Sequence, residues 1–125
     1  MTLDSLHIAK TEETPEVSFN LETGMFSIVG RSLPEDAFAF YKPIIEWIKD
    51  PDNRVPVGEL TIHLDYFNSS SGRYIMEMLV TLESQFKDSR GLTIKWVVDE
   101  DDELMIEKGE EFNSLINLPF EVLTV

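Results

Sequence analysis

The chain has no cysteine, which excludes disulfides, Cys-based metal sites and a thiol nucleophile together. Positive charge is scarce. Ten Lys and Arg stand against 24 Asp and Glu, a formal net charge of -14, so nucleic acid and an anionic membrane surface would both be repelled. The same balance disfavours a catalytic phosphate-binding site, and no Gly-rich phosphate signature occurs. Histidine is limited to His7 and His63. Met1 to Lys10 lacks the basic start and apolar run of a signal peptide, and no window approaches the length of a membrane span. The expectation is a soluble cytoplasmic protein, without cofactor, repeat, linker or low-complexity tract.

What is present suits one domain: 125 residues, 42% apolar and 27% charged, are enough to bury a core. Residues 1–13 are polar apart from Met1, Leu3, Leu6 and Ile8, and read as a loosely ordered arm along a sheet edge. Residues 14–125 form the domain. Glu16 to Leu21 and Met25 to Gly30 alternate around Glu22-Thr23-Gly24, a hairpin by its own turn chemistry. Ser32-Leu33-Pro34-Glu35 has the spacing of a capping box, placing a helix start near Leu33. That helix carries Phe38, Tyr41, Ile44, Ile45 and Ile48 on one face, with a kink or break expected at Pro43. Pro56 and Gly58 lead into the next strand, and Ser89-Arg90-Gly91 later stops a second helix. Leu92 to Val98 is strand-like. The acidic run Asp99 to Glu103 opens a third helix, Asp102 to about Ile116, whose apolar side is Leu104, Met105, Phe112, Leu115 and Ile116. Pro119 starts a last strand, Phe120 to Val125. The order β-β-α-β-α-β-α-β implies an α/β domain with three helices and a mixed, mostly parallel sheet opened by an antiparallel hairpin.

The centre of the chain is Leu60 to Phe67, where Leu60, Ile62, Leu64 and Tyr66 alternate with Thr61, His63, Asp65 and Phe67. It runs into Asn68-Ser69-Ser70-Ser71-Gly72, after which Tyr74, Ile75, Met78, Leu79, Leu82 and Phe86 follow a helical period. Three hydroxyls therefore sit at a strand-to-helix turn. A serine there can cap the helix, accept a phosphoryl group or act as a nucleophile. Nucleophilic chemistry lacks a base, because His63 is about 20 Å from Ser69 along an extended strand at about 3.3 Å per residue. His63 and Asp65, at i and i+2, read as a solvated sheet face or, alternatively, as part of a ligand-sensing or small-enzyme site. The Asp99 to Glu103 run lacks EF-hand spacing and reads as charge at a helix start. Trp47 and Trp96 are either core residues or interface anchors.

The motifs Thr14-Pro15, Gly30-Arg31-Ser32-Leu33-Pro34-Glu35, Phe40-Tyr41-Lys42-Pro43 with Trp47, and Tyr66-Phe67-Asn68-Ser69-Ser70-Ser71 resemble those of the SiaC family of regulatory phosphoproteins. Lys95-Trp96, Glu110-Glu111-Phe112 and Pro119-Phe120 extend the likeness over nearly the whole chain. That family is similar in fold to the STAS domains of anti-sigma-factor antagonists. The resemblance implies a STAS-like domain acting as a non-enzymatic partner switch. The family's phosphorylated threonine falls at Ser69, and Gly72 stands where the family has a larger residue, making Ser70 the second candidate. The resemblance further implies a cognate serine/threonine kinase, a metal-dependent serine/threonine phosphatase, and a target such as a diguanylate cyclase bound by the unphosphorylated form. Tyr66, Asn68, Ser69, Ser70, Ser71 and Arg73 would surround the contact.

Overall fold

A computed structural model of the chain describes residues 5–51, 53, 58–86 and 91–125. In chain order the elements are β1 (Leu6–Ile8), β2 (Glu16–Asn20), β3 (Met25–Ser32), α1 (Ala37–Lys49), β4 (Gly58–Phe67), α2 (Ser69–Phe86), β5 (Leu92–Val98), α3 (Glu103–Leu115) and β6 (Phe120–Thr124). The strands form one sheet in the order β1-β2-β3-β4-β5-β6. The first two pairs are antiparallel and the remaining three parallel. The expected mixed α/β architecture is therefore present, with one strand more. Within the segment expected to be a loose arm, Leu6 and Ile8 pair opposite Phe19 and Val17 as an edge strand.

Strand order and chain order coincide, and this decides how the layers stack. Right-handed crossovers that always step in one direction leave every helix on the same side of the sheet. Burial follows that rule. Phe26 and Ile28 of β3, Leu60 and Ile62 of β4, and Ile94 and Trp96 of β5 are buried beneath the helices. The intervening residues, such as Val29, Thr61 and Lys95, lie on the uncovered face and are only half-buried or exposed. Parallel sheets are usually covered on both faces; this one has two layers.

The hairpin turn is made as its residues suggest. Asn20 Oδ1 accepts from the Glu22 and Thr23 amides, and Gly24 takes φ 73°, where a side chain would be strained. The capping box at Ser32 is not used. Ser32 ends β3, paired with Phe67, and its carbonyl accepts from Asn68 N, so its backbone belongs to the sheet. Helix α1 starts later, capped by Asp36, whose Oδ1 accepts from Ala39 N at 3.0 Å. It runs unbroken through Pro43. On its apolar face Phe38 is half exposed while Tyr41, Ile44, Ile45 and Ile48 are buried. The third helix begins and ends as the sequence indicates, with Asp102 as its N-cap and Ile116 at its C-cap. Its apolar side is narrower than expected, because Leu104 and Leu115 are exposed. The stop at Ser89-Arg90 and the strand entry at Pro56 fall outside the described residues.

The alternation of β4 breaks once. Gly30 pairs with Leu64 but Arg31 pairs with Tyr66, leaving Asp65 as an extra, unpaired residue. Such a bulge reverses the inside–outside alternation beyond it. Phe67 accordingly turns inward onto Trp96 and Phe112, with centroids at 6.0 and 6.1 Å, and Tyr66 turns outward. The strict alternation expected from Leu60 to Phe67 is thus corrected at Asp65.

Candidate functional site

The strand-to-helix turn after β4 is held by Asn68. Its Oδ1 accepts from Ser71 N at 2.9 Å, its carbonyl accepts from Gly72 N at 2.9 Å, and its own amide donates to the Ser32 carbonyl at 3.1 Å. The cap is therefore the asparagine and not one of the serines. Asn binds the first free amides of a helix as well as Ser does, which frees all three hydroxyls for other duties.

Helical phase sorts those hydroxyls. Successive residues turn by about 100°, so three in a row cannot share an environment. Ser71 points into the core and is fully buried, whereas Ser69 and Ser70 are exposed. Ser71 Oγ donates to the Ser32 carbonyl at 3.1 Å and accepts from Ser32 Oγ at 2.9 Å. Because the single Ser32 hydroxyl proton goes to Ser71, the Tyr41 hydroxyl donates to Ser32 Oγ at 2.6 Å. Burial pushes the Tyr41 phenol up to about 12 against the lowering effect of its two serine partners. A neutral hydroxyl chain thus ties the start of α2 to the end of β3 and to α1. Ser71 is a structural residue.

Ser69 opens onto two adjoining clefts between the start of α2 and α3. The larger, about 310 Å³, includes Arg73, Met76, Lys108, Glu111 and Leu115 in its walls; the smaller, about 130 Å³, includes Tyr66, Leu104 and Lys108. Ser69, Phe67 and Lys108 line both. Exposed Tyr66, Leu104 and Leu115 surround the turn with apolar surface. Arg73 lies one helical turn beyond Ser69, its guanidinium carbon 5.8 Å from the centre of the Tyr74 ring. Gly72 admits this arrangement, since a Cβ there would come 2.9 Å from the Phe67 ring; a larger residue requires that ring to move.

Of the residues expected around the switch, Tyr66, Ser69, Ser70 and Arg73 are exposed and Asn68 is half-buried at the turn, while Ser71 faces the core. The part missed from sequence is the contribution of α3. Leu104, Lys108 and Leu115 recur at i, i+4 and i+11, the spacing of one helix face, but their apolar members were indistinguishable from core residues. A third cleft, about 200 Å³, lies between α1 and α2 at Phe38, Lys42, Ile45 and Tyr74.

His63 and Asp65 line none of these clefts. His63 is half-buried on the uncovered sheet face and Asp65 is the unpaired residue of the bulge. In the acidic run, Asp102 Oδ1 accepts from Met105 N at 3.1 Å, and among the described residues no group of three or more His, Asp or Glu is placed to hold a metal ion. Both tryptophans pack inward. Trp96 is buried and donates from Nε1 to the Met105 carbonyl at 2.9 Å, and Trp47 meets Phe19 and Phe26 edge-on. Among the described residues no helix is long and apolar enough to cross a membrane.

A family model described as "SiaC family regulatory phosphoprotein" matches residues 8–125. An uncharacterized protein of Pseudomonas aeruginosa is 30% identical over 122 residues, which are 96% of each chain. The crystal structure of apo-SiaC from Pseudomonas aeruginosa is similar with a TM-score of 0.86 and 28% identity, covering 98% of this chain and 100% of that one. A chain in the crystal structure of the diguanylate cyclase SiaD in complex with its activator SiaC, from the same bacterium, gives a TM-score of 0.87 at 29% identity, over 96% and 99% of the two chains.

Proposed function

Because this chain belongs to the SiaC family of regulatory phosphoproteins, we propose that it is a non-enzymatic cytoplasmic partner switch controlled at Ser69. The observation that carries the reading is the sorting of the hydroxyls: Ser69 and Ser70 are exposed while Ser71 is buried and bonded at both ends. Ser69 holds the position of the family's phosphorylated hydroxyl, opens onto the two α2–α3 clefts and is ringed by Tyr66, Leu104 and Leu115. In its unphosphorylated form this surface binds a target. A diguanylate cyclase is the target class favoured by the complex of SiaD with its activator SiaC. A serine/threonine kinase adds the phosphoryl group and a metal-dependent phosphatase removes it.

The physical effect of modification is local. A phosphoryl group brings about -1.5 to -2 charges at neutral pH, and packing it against apolar target surface would strand that charge without water. Binding is then lost through desolvation as much as through repulsion. Kinase labelling followed by phosphopeptide mapping should find the label on Ser69. Ser69→Asp should weaken target binding by roughly tenfold, about 1.4 kcal/mol, while Ser69→Ala binds like the parent. A carboxylate in the first turn favours the helix dipole, so Ser69→Asp should not melt earlier than the parent. A label confined to another residue would sink the site assignment.

A further inference from the structure

We propose that the phosphoryl group on Ser69 is received within this chain by Lys108 of α3 and Arg73 of α2, so that modification clasps the start of α2 to α3. The inference rests on the reading of Ser69 as the acceptor and extends it to how the phosphate is held. Cations are rare in this chain, ten among 125 residues, yet two of them flank this hydroxyl. Ser69 and Lys108 line both clefts, and Arg73 joins them in the larger one. Arg73 is four residues along from Ser69, on the same helix face and one turn away.

Both cations are held weakly in the unmodified chain. Lys108 Nζ lies 3.9 Å from Glu111 Oε2, with both side chains open to water, a contact worth little there. Arg73 is in no ion pair among the described residues and rests over the Tyr74 ring. A dianionic phosphate presents more charge than one carboxylate and three acceptor oxygens, enough for an ammonium and a guanidinium at once. Glu111 lines the same cleft and opposes the phosphate. It therefore sets the strength of the clasp. Drawing Lys108 toward Ser69 also alters the surface between Leu104 and Leu115, so the modified form differs from the unmodified one in shape as well as charge.

The test uses the full chain with phosphoserine placed at position 69 by genetic encoding, and follows its phosphorus resonance by NMR as pH is varied. A free phosphoserine loses its second proton, becoming the dianion, at about pH 6. The clasp should lower that midpoint in the folded chain by about half a unit. Lys108→Gln should abolish most of that shift, Lys108→Arg should keep it, and Glu111→Gln should lower the midpoint further. These side chains all reach solvent, and unchanged far-UV dichroism shows that each variant folds. Identical midpoints in the parent, Lys108→Gln and Arg73→Gln chains would overturn the clasp. Target binding is read separately. If the phosphoserine chain shows the shift but binds its target as tightly as the unmodified chain, the partner-switch reading fails and the clasp stands. Lost binding with no shift leaves the switch and removes the clasp.

Discussion

Tyr41 is the residue whose chemistry can be read without knowing any partner. Its phenol is fully buried and pushed up to about 12, while in the unfolded chain it titrates near 10. Between those values the folded state holds the proton and the unfolded state has lost it, so stability falls as pH rises from about 10 to about 12. None of this stability is lost below pH ~10, and the loss across the interval amounts to about 2–3 kcal/mol. Tyr41→Phe should cost about 1 kcal/mol at neutral pH by removing one buried hydrogen bond. It should then lose less stability than the parent between about pH 9 and 11.5, as measured by urea unfolding; parallel loss in both chains would remove Tyr41 as the cause. Gly109 offers a second residue-level test, because a Cβ there would collide with the Trp96 indole. Although alanine is the better helix former by about 1 kcal/mol, Gly109→Ala should destabilise by about 1–3 kcal/mol through overpacking. A rise in the denaturation midpoint would show that Trp96 can step aside.

Among the elements, α2 shows most clearly what local pattern can and cannot reveal. Replacing the cap, Asn68→Ala, should cost about 1 kcal/mol, whereas Ser69→Ala and Ser70→Ala should stay within about 0.5 kcal/mol of the parent; denaturant titration of the three variants compares them directly. A large loss from either serine instead would show that the cap had been misplaced. The sequence makes the serines the natural cap candidates because there are three of them, while the single asparagine before them reads only as part of the contact. The hairpin β2–β3, the strand β5 and the helix α3 were legible because their signals are local: alternation, a Gly at the turn, an Asp at the cap. Ser32 misled for the opposite reason. Its spacing to Glu35 is that of a capping box, but its backbone is paired with Phe67, a partner 35 residues on that no local pattern contains. The bulge at Asp65 was equally hidden, since it arises from how β4 meets β3 and not from the composition of β4. Strand β1 escaped notice because three residues among polar neighbours carry too little alternation to be seen. In the site, the hydroxyls and Arg73 were visible in one contiguous motif, but Lys108 and the leucines of α3 reach it only through the fold.

Over the whole molecule, charge repulsion is what added salt should change most. The chain carries a formal net charge of -14, and the four ion pairs found among the described residues all involve side chains that water reaches. Such pairs contribute little, so screening should relieve more repulsion than attraction. Raising NaCl from about 20 mM to about 500 mM should therefore increase the Tm by a few degrees; a fall would mean that local attractions dominate. The agreement between strand order and chain order reaches further than the two-layer architecture it produces. A ribosome delivers the chain from its N-terminus, and each strand after β1 emerges when one neighbour it pairs with has already been made. β3, β4 and α2 can therefore come together around the Ser32–Ser71 bonds before α3 has left the ribosome. In that order of assembly Ser69 is seated before Lys108 reaches it, and the hydroxyl stands for an interval without the far wall of its clefts.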